Sequence, residues 1–204
     1  MEPEPKPQPK PEPKPEPEPV PEPAPEDFVS VADWIPGIRT ELRYATDNNF
    51  THQVIYDFSG AYLRYGTVQK LAAAQAVLET EGYSLLIWDA FRPVSAQFDL
   101  WEICPDPAYV ANPETGYSSH SRGNTVDLTL VTPEGEPVEM PTDFDDFTPL
   151  ADRDYSDAGE TAAANARLLE DAMTAAGFRP YSAEWWHYSD TDSYPVEETF
   201  IPAS

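Results

Sequence analysis

Residues 120–131 read HSRGNTVDLTLV. From Val126 onward the stretch alternates. Val126, Leu128 and Leu130 fall on one face of an extended chain, and Asp127 and Thr129 on the other. The reading is a turn around Gly123 that runs into a strand, with Asp127 at the strand's start. A carboxylate at that point, seven residues after a histidine, joins a polar turn to a strand with an apolar face.

The segments around this strand define the rest of the domain. Upstream, YSLLIWDAF (83–91) is a short apolar run bounded by Gly82 and Pro93, and reads as a buried strand. Before it, residues 66–81 carry apolar positions near helical period, with Thr67 as the expected N-cap and Gly82 as the stop. Residues 94–103 (VSAQFDLWEI) read as a helix and 105–119 as a loop. Near the N-terminal end, Pro36-Gly37 signals a turn, ELRYA (41–45) reads as a short strand, and 47–60 as a loop. Downstream, PEGEP (133–137) is a turn and 141–158 is acidic and irregular. The stretch 159–178 is a helix with Leu168, Leu169, Ala172 and Met173 as its apolar stripe. EWWHYSD (184–190) is a final strand. Strands and helices mix without a βαβ rhythm. The expected class is α+β, a single domain with a central antiparallel sheet flanked by helices.

Residues 1–26 differ in kind, with proline at every odd position from Pro3 to Pro25. Such a segment has too little apolar surface to offset the entropy of ordering. It is expected to be a polyproline II linker about 80 Å long, with the folding domain at 27–204. The net charge is −25; the linker's seven Glu and three Lys give −4 and leave −21 for the domain. That field disfavours nucleic acid and anionic membranes and tolerates a cation. The single cysteine, Cys104, allows no intrachain disulfide and no Cys-rich zinc site. No apolar run reaches membrane-spanning length. No signal-peptide pattern follows Met1, which taken literally means a cytoplasmic protein. The charged Pro-rich stalk points instead to the cell envelope or periplasm, with a leader trimmed or missing.

The chain has three histidines: His52, His120 and His187. Two His and one Asp match a hydrolytic zinc site, which keeps a fourth position for water. Zinc with one carboxylate leaves a formal +1 charge and acidifies that water. Glu184 precedes His187 by three residues. On a regular strand the two would face opposite ways, so joint use requires a bulge or a strand end. Spacing alone favours satisfied structural histidines over a metal site.

Three motifs carry a resemblance. Ser118-Ser-His120-Ser-Arg-Gly123-Asn-Thr-Val-Asp127 resembles the S-x-H-x-x-G-x-x-x-D signature of the M15 zinc peptidases. Glu184-Trp-Trp-His187 is similar to their E-x-W-H segment, and Trp88-Asp89-Ala-Phe-Arg92-Pro93 to W-D-x-[YF]-R-P. The branch they resemble is the VanX-type D-alanyl-D-alanine dipeptidases, over residues 30–202. The resemblance implies an M15/hedgehog-like fold and one Zn²⁺ per chain on His120, Asp127 and His187. It implies Glu184 as general base and Arg92 as the stabiliser of the tetrahedral intermediate. Ser118 is implied near the amino end of a small D,D-dipeptide. Asp89 is expected to orient Arg92 or contact substrate. Asp145 and Asp146 are candidates for the substrate ammonium, one of Trp185 and Trp186 for the pocket wall, and His52 for the surface. The implied reaction is hydrolysis of D-Ala-D-Ala in wall-precursor metabolism or glycopeptide resistance. The alternatives are a D,D-carboxypeptidase or endopeptidase on peptidoglycan stems, and a non-catalytic zinc-containing binding module.

Overall fold

A computed structural model describes residues 21–203. Residues 1–20 of the expected linker lie outside the described residues. The chain begins with β1 (Phe28–Ser30), α1 (Val31–Trp34), β2 (Arg39–Thr40) and a 3-10 turn at Arg43–Ala45. Next come β3 (Tyr62–Arg64), α2 (Tyr65–Thr80), β4 (Ser84–Asp89) and α3 (Val94–Ile103). A 3-10 turn at Ser119–Arg122 leads into β5 (Thr125–Val131). A further turn at Pro149–Ala151 precedes α4 (Glu160–Ala175), β6 (Phe178–Tyr181) and β7 (Glu184–Asp190).

The main sheet has five strands in the order β2-β4-β5-β7-β6, and β1 pairs with β3 in a separate two-stranded sheet. All pairings of the main sheet are antiparallel except β2–β4, which is parallel. The antiparallel α+β expectation therefore holds with one parallel edge strand. All seven residues of β5 are buried. It is the central strand, covered on both faces. Leu71, Leu78, Ala166, Leu169 and Met173 of α2 and α4 join the core with Val126, Leu128 and Leu130. Tyr44, Trp88, Phe144, Trp185 and Trp186 form an aromatic cluster with centroids 5.5–6.0 Å apart. Trp185 and Trp186 are 0% and 1% exposed, so both are core residues and neither forms a pocket wall.

Several local expectations change. ELRYA is not a strand: Arg43–Ala45 make a 3-10 turn, and the strand is the preceding Arg39–Thr40. Thr67 does not cap α2, which starts earlier, at Tyr65. The orphan N–H groups of Tyr65 and Gly66 donate to the carbonyls of Asp27 (2.8 Å) and Pro25 (2.9 Å). With backbone carbonyls in that role, the buried Thr67 hydroxyl is free to donate to Asp190 Oδ2 at 2.7 Å. Arg64 Nη1 also donates to Glu26 O at 2.7 Å, so residues 25–27 are joined to the helix start. β6 was not anticipated; residues 178–181 (FRPY) contain a proline, which an edge strand accommodates. No helix among the described residues is long and apolar enough to cross a membrane.

Candidate metal centre and active site

Strand register assembles the site. Asp89 of β4 lies opposite Asp127 of β5, and Asp127 lies opposite His187 of β7. Directly opposed residues share a face, so these three form one row across the sheet. Two irregularities make the row. The β4–β5 register shifts between Ile87 and Asp89, so Asp89, rather than Trp88, faces Asp127. In the β6–β7 pair, Pro180 faces Tyr188 but Tyr181 faces Glu184, which leaves residues 185–187 bulged on that side. This is the irregular strand that Glu184 and His187 require to act together.

His120 arrives from the 3-10 turn before β5. Ser118 caps that turn, its Oγ accepting from His120 N at 3.3 Å. Gly123, at φ +73°, reverses the chain into the strand. The His120 Nδ1–H donates to Ala90 O at 2.8 Å. A carbonyl only accepts, so this bond fixes the tautomer and leaves Nε2 with a lone pair. That Nε2 is 3.3 Å from Asp127 Oδ2, and His187 Nδ1 is 3.0 Å from Asp127 Oδ1. Among the described residues, one ligand atom each from His120, Asp127 and His187 lies within 4.8 Å of the others. The buried Asp127 Oδ1 accepts no hydrogen bond despite its close imidazole neighbour. Nitrogen and oxygen ligand atoms crowd together there. That arrangement is costly without a cation or a proton between them, and the three residues could hold a metal ion.

The electrostatics agree. Burial alone would raise Asp127, but the two imidazoles outweigh it and hold the carboxyl far below its ordinary range. Burial would lower His120, but Asp127 and Asp89 outweigh it and raise its affinity for a proton. Glu184 has its oxygen 3.5 Å from His187 Nδ1. Its pKa is raised, first by burial and then by the Asp127 charge.

Arg92 is buried beside the row. Its Nη2 donates to Asp89 Oδ2 at 2.7 Å and its Nη1 to Gln97 Oε1 at 3.2 Å. Its guanidinium lies 5.0 Å from the Tyr44 ring centroid. Asp89 is fully buried and also accepts from Tyr56 OH (2.8 Å) and Ala90 N (2.9 Å). Its carboxylate faces the arginine rather than the cavity, so Asp89 orients Arg92 and is not placed to touch substrate. Asp145, at φ 56°, accepts from Tyr44 OH at 2.9 Å. Its carboxyl is pushed up to about 8, first by burial and then by the Asp127 and Glu184 charges, against the hydrogen bond from Tyr44.

A cavity of about 440 Å³ has Arg92, Ser118, His120, Asp145, Glu184 and His187 in its walls. Small-molecule sites span roughly 300–1,000 Å³, so this one suits a small ligand. Asp146 lies apart and accepts from Thr148 N at 3.1 Å. His52 is exposed in its loop and outside the cavity wall. Sequence reasoning missed Tyr44, Tyr56 and Gln97. Tyr44 and Tyr56 act through partners 101 and 33 residues away, and Gln97 sits inside a helix whose apolar pattern hides its bond to Arg92.

Comparison with known proteins agrees with the motifs. The Peptidase M15 family model, described as D-ala-D-ala dipeptidase, matches residues 25–203. The D-alanyl-D-alanine dipeptidase of Escherichia coli K12 is 36% identical over 172 residues, 83% of this chain and 89% of that protein. That of Enterococcus faecalis is 34% identical over 194 residues, 85% of this chain and 96% of that protein. Among solved structures, VanYB in complex with D-Alanine-D-Alanine aligns at 17% identity over 68% of this chain and 74% of that chain, with a TM-score of 0.43. With the family model spanning nearly all of the described residues and relatives above one-third identity, this chain belongs to the Peptidase M15 family of D-Ala-D-Ala dipeptidases and is a peptidase.

Proposed function

We propose that this protein hydrolyses D-Ala-D-Ala with one zinc ion held by His120 Nε2, Asp127 and His187 Nδ1. The observation that carries the reading is the convergence of those three donors in one cavity wall with Glu184 and Arg92. When bound, zinc supplies Lewis acidity that polarises the scissile carbonyl and makes water nucleophilic near neutral pH.

The protein's own residues do the rest. The Glu184 carboxylate takes a proton from the attacking water and delivers it to the departing amine. Burial raises its pKa above the ordinary carboxyl value, which makes the carboxylate a stronger base toward that proton. Arg92 supplies a fixed positive charge where the oxyanion develops, held in place by Asp89 and Gln97 before substrate arrives. Ser118 and Asp145 lie on the wall where a substrate ammonium would bind. An ammonium beside Asp145 would favour its ionised form. The physiological role proposed is removal of a wall precursor, in recycling or in glycopeptide resistance.

The test is alanine release from D-Ala-D-Ala, with and without a chelator, beside a pentapeptide ending in D-Ala-D-Ala. Chelator-sensitive cleavage of the dipeptide alone is expected. Efficient pentapeptide cleavage would place the protein among the wall-trimming carboxypeptidases, and cleavage of neither by zinc-loaded protein would refute the reading.

A further inference from the structure

We propose that Arg153 is a positioning residue for the metal centre, holding the β7 bulge that puts Glu184 and His187 on one face. The inference rests on reading His187 as a metal ligand. Arg153 lies outside the cavity wall, in the irregular acidic segment 141–158. Its side chain is 9% exposed. The guanidinium reaches both strands at the irregularity. Nη2 donates to the carbonyl of His187 at 2.9 Å, and Nε donates to the carbonyl of Tyr181 at 2.7 Å. Tyr181 is the β6 residue that faces Glu184 across the register shift. One planar group therefore ties the backbone of the ligand to the strand opposite the base.

The remaining donor fixes the guanidinium itself. Nη1 donates to Glu170 Oε2 of α4 at 3.0 Å, to Tyr188 OH at 3.0 Å and to Tyr155 OH at 3.2 Å. Tyr155 OH in turn donates to Glu170 Oε2 at 2.8 Å. α4 packs on the core through Ala166, Leu169 and Met173, so the fork ties the bulge to a helix seated in the core. A regular strand would not require this clamp. Over residues 185–187 β7 has no pairing with β6, and its register on the other side ends at His187 opposite Asp127 of β5, so the β6 side of the bulge is free to relax unless something holds it. Lysine gathers its three donors on one atom and cannot reproduce a planar fork whose three nitrogens reach both strands and the anchor. A bond to the backbone of a ligand residue acts on the metal through the direction of the imidazole, as outer-shell partners commonly do.

The experiment compares wild type, Arg153→Lys, Glu170→Gln and His187→Ala by thermal midpoint, by zinc affinity in competition with a chromophoric chelator, and by kcat and KM on D-Ala-D-Ala at saturating zinc. For Arg153→Lys, zinc affinity is expected to fall roughly 10–100-fold, with kcat falling while KM stays nearly constant. Glu170→Gln, which loosens the anchor but leaves the fork, is expected to shift the same readouts less and in the same direction. A purely structural arginine would lower the thermal midpoint alone; unchanged zinc affinity in folded Arg153→Lys overturns the proposal. If that variant fails to fold, unchanged zinc affinity in Glu170→Gln overturns it instead. His187→Ala separates the two readings. Full zinc affinity there sinks the metal assignment, whereas lost affinity there with normal affinity in Arg153→Lys sinks only the clamp.

Discussion

Gly123→Ala adds one methyl group at the point where the turn carrying His120 becomes the strand carrying Asp127. The backbone there has φ +73°, where an alanine is strained by about 1–2 kcal/mol. The new Cβ would also lie 2.4 Å from Phe28 Cε1 and 2.5 Å from its Cζ. That ring is held by contacts on three sides. It stacks on Phe200 at 4.2 Å, meets Phe91 edge-on at 4.7 Å, and lies 4.1 Å from the Arg64 guanidinium. Overpacking of this kind costs about 1–3 kcal/mol, so the total is about 2–5 kcal/mol. Against a typical stability of about 5–15 kcal/mol that is a severe change. Urea unfolding of the metal-free protein measures it. Adding Phe28→Leu removes the colliding ring atoms but leaves the backbone strain. The double-mutant cycle should then return a favourable coupling of about 1–3 kcal/mol. A total cost below about 1 kcal/mol would refute the backbone argument, and absence of coupling to Phe28 would refute the steric one.

Glu184→Ala should keep its zinc, because the ligands lie elsewhere, and lose turnover by about 10²–10⁴-fold; near wild-type kcat would remove Glu184 as base. His120→Ala should lose the metal, and full zinc content by atomic absorption would take His120 out of the ligand set. Arg92→Lys keeps the charge but cannot reproduce the bonds to Asp89 and Gln97. Its kcat should fall about 10²–10³-fold with little change in KM, and a KM effect alone would make Arg92 a ground-state binder. Asp145 has a folded-state pKa of about 8, above its unfolded value. In the metal-free protein its contribution favours the fold below about pH 4 and is lost as pH rises through about 8. The stability of wild type relative to Asp145→Asn should therefore decline across that window, and a flat difference in urea titrations would show that the carboxyl ionises normally.

Legibility followed the range of the determinants. The helix at 94–103 is legible to the residue, because the proline before it and its apolar positions all lie in one local stretch. β5 was read from its alternation, although both of its faces are buried. ELRYA misled because Leu42 and Tyr44 are buried around a 3-10 turn, where alternation over five residues imitates a strand. Thr67 misled because a threonine near a helix start looks the same whether it caps the backbone or bonds to a residue 123 positions away.

The sequence by itself determined the class of fold and the family, and it named the candidate site residues, because three separated motifs keep their residue types and order. It also required an irregular strand at Glu184 and His187, since a period of two cannot put positions three apart on one face. Only the tertiary structure decided how that requirement is met. The shifts at Trp88 and at residues 185–187 are properties of paired strands, and no single strand encodes its partner's register. The same holds for Arg153, Gln97 and Tyr56. Each gains its role from a hydrogen bond whose other end is fixed by packing, and the energy of that bond depends on a burial that exists only once the chain has folded.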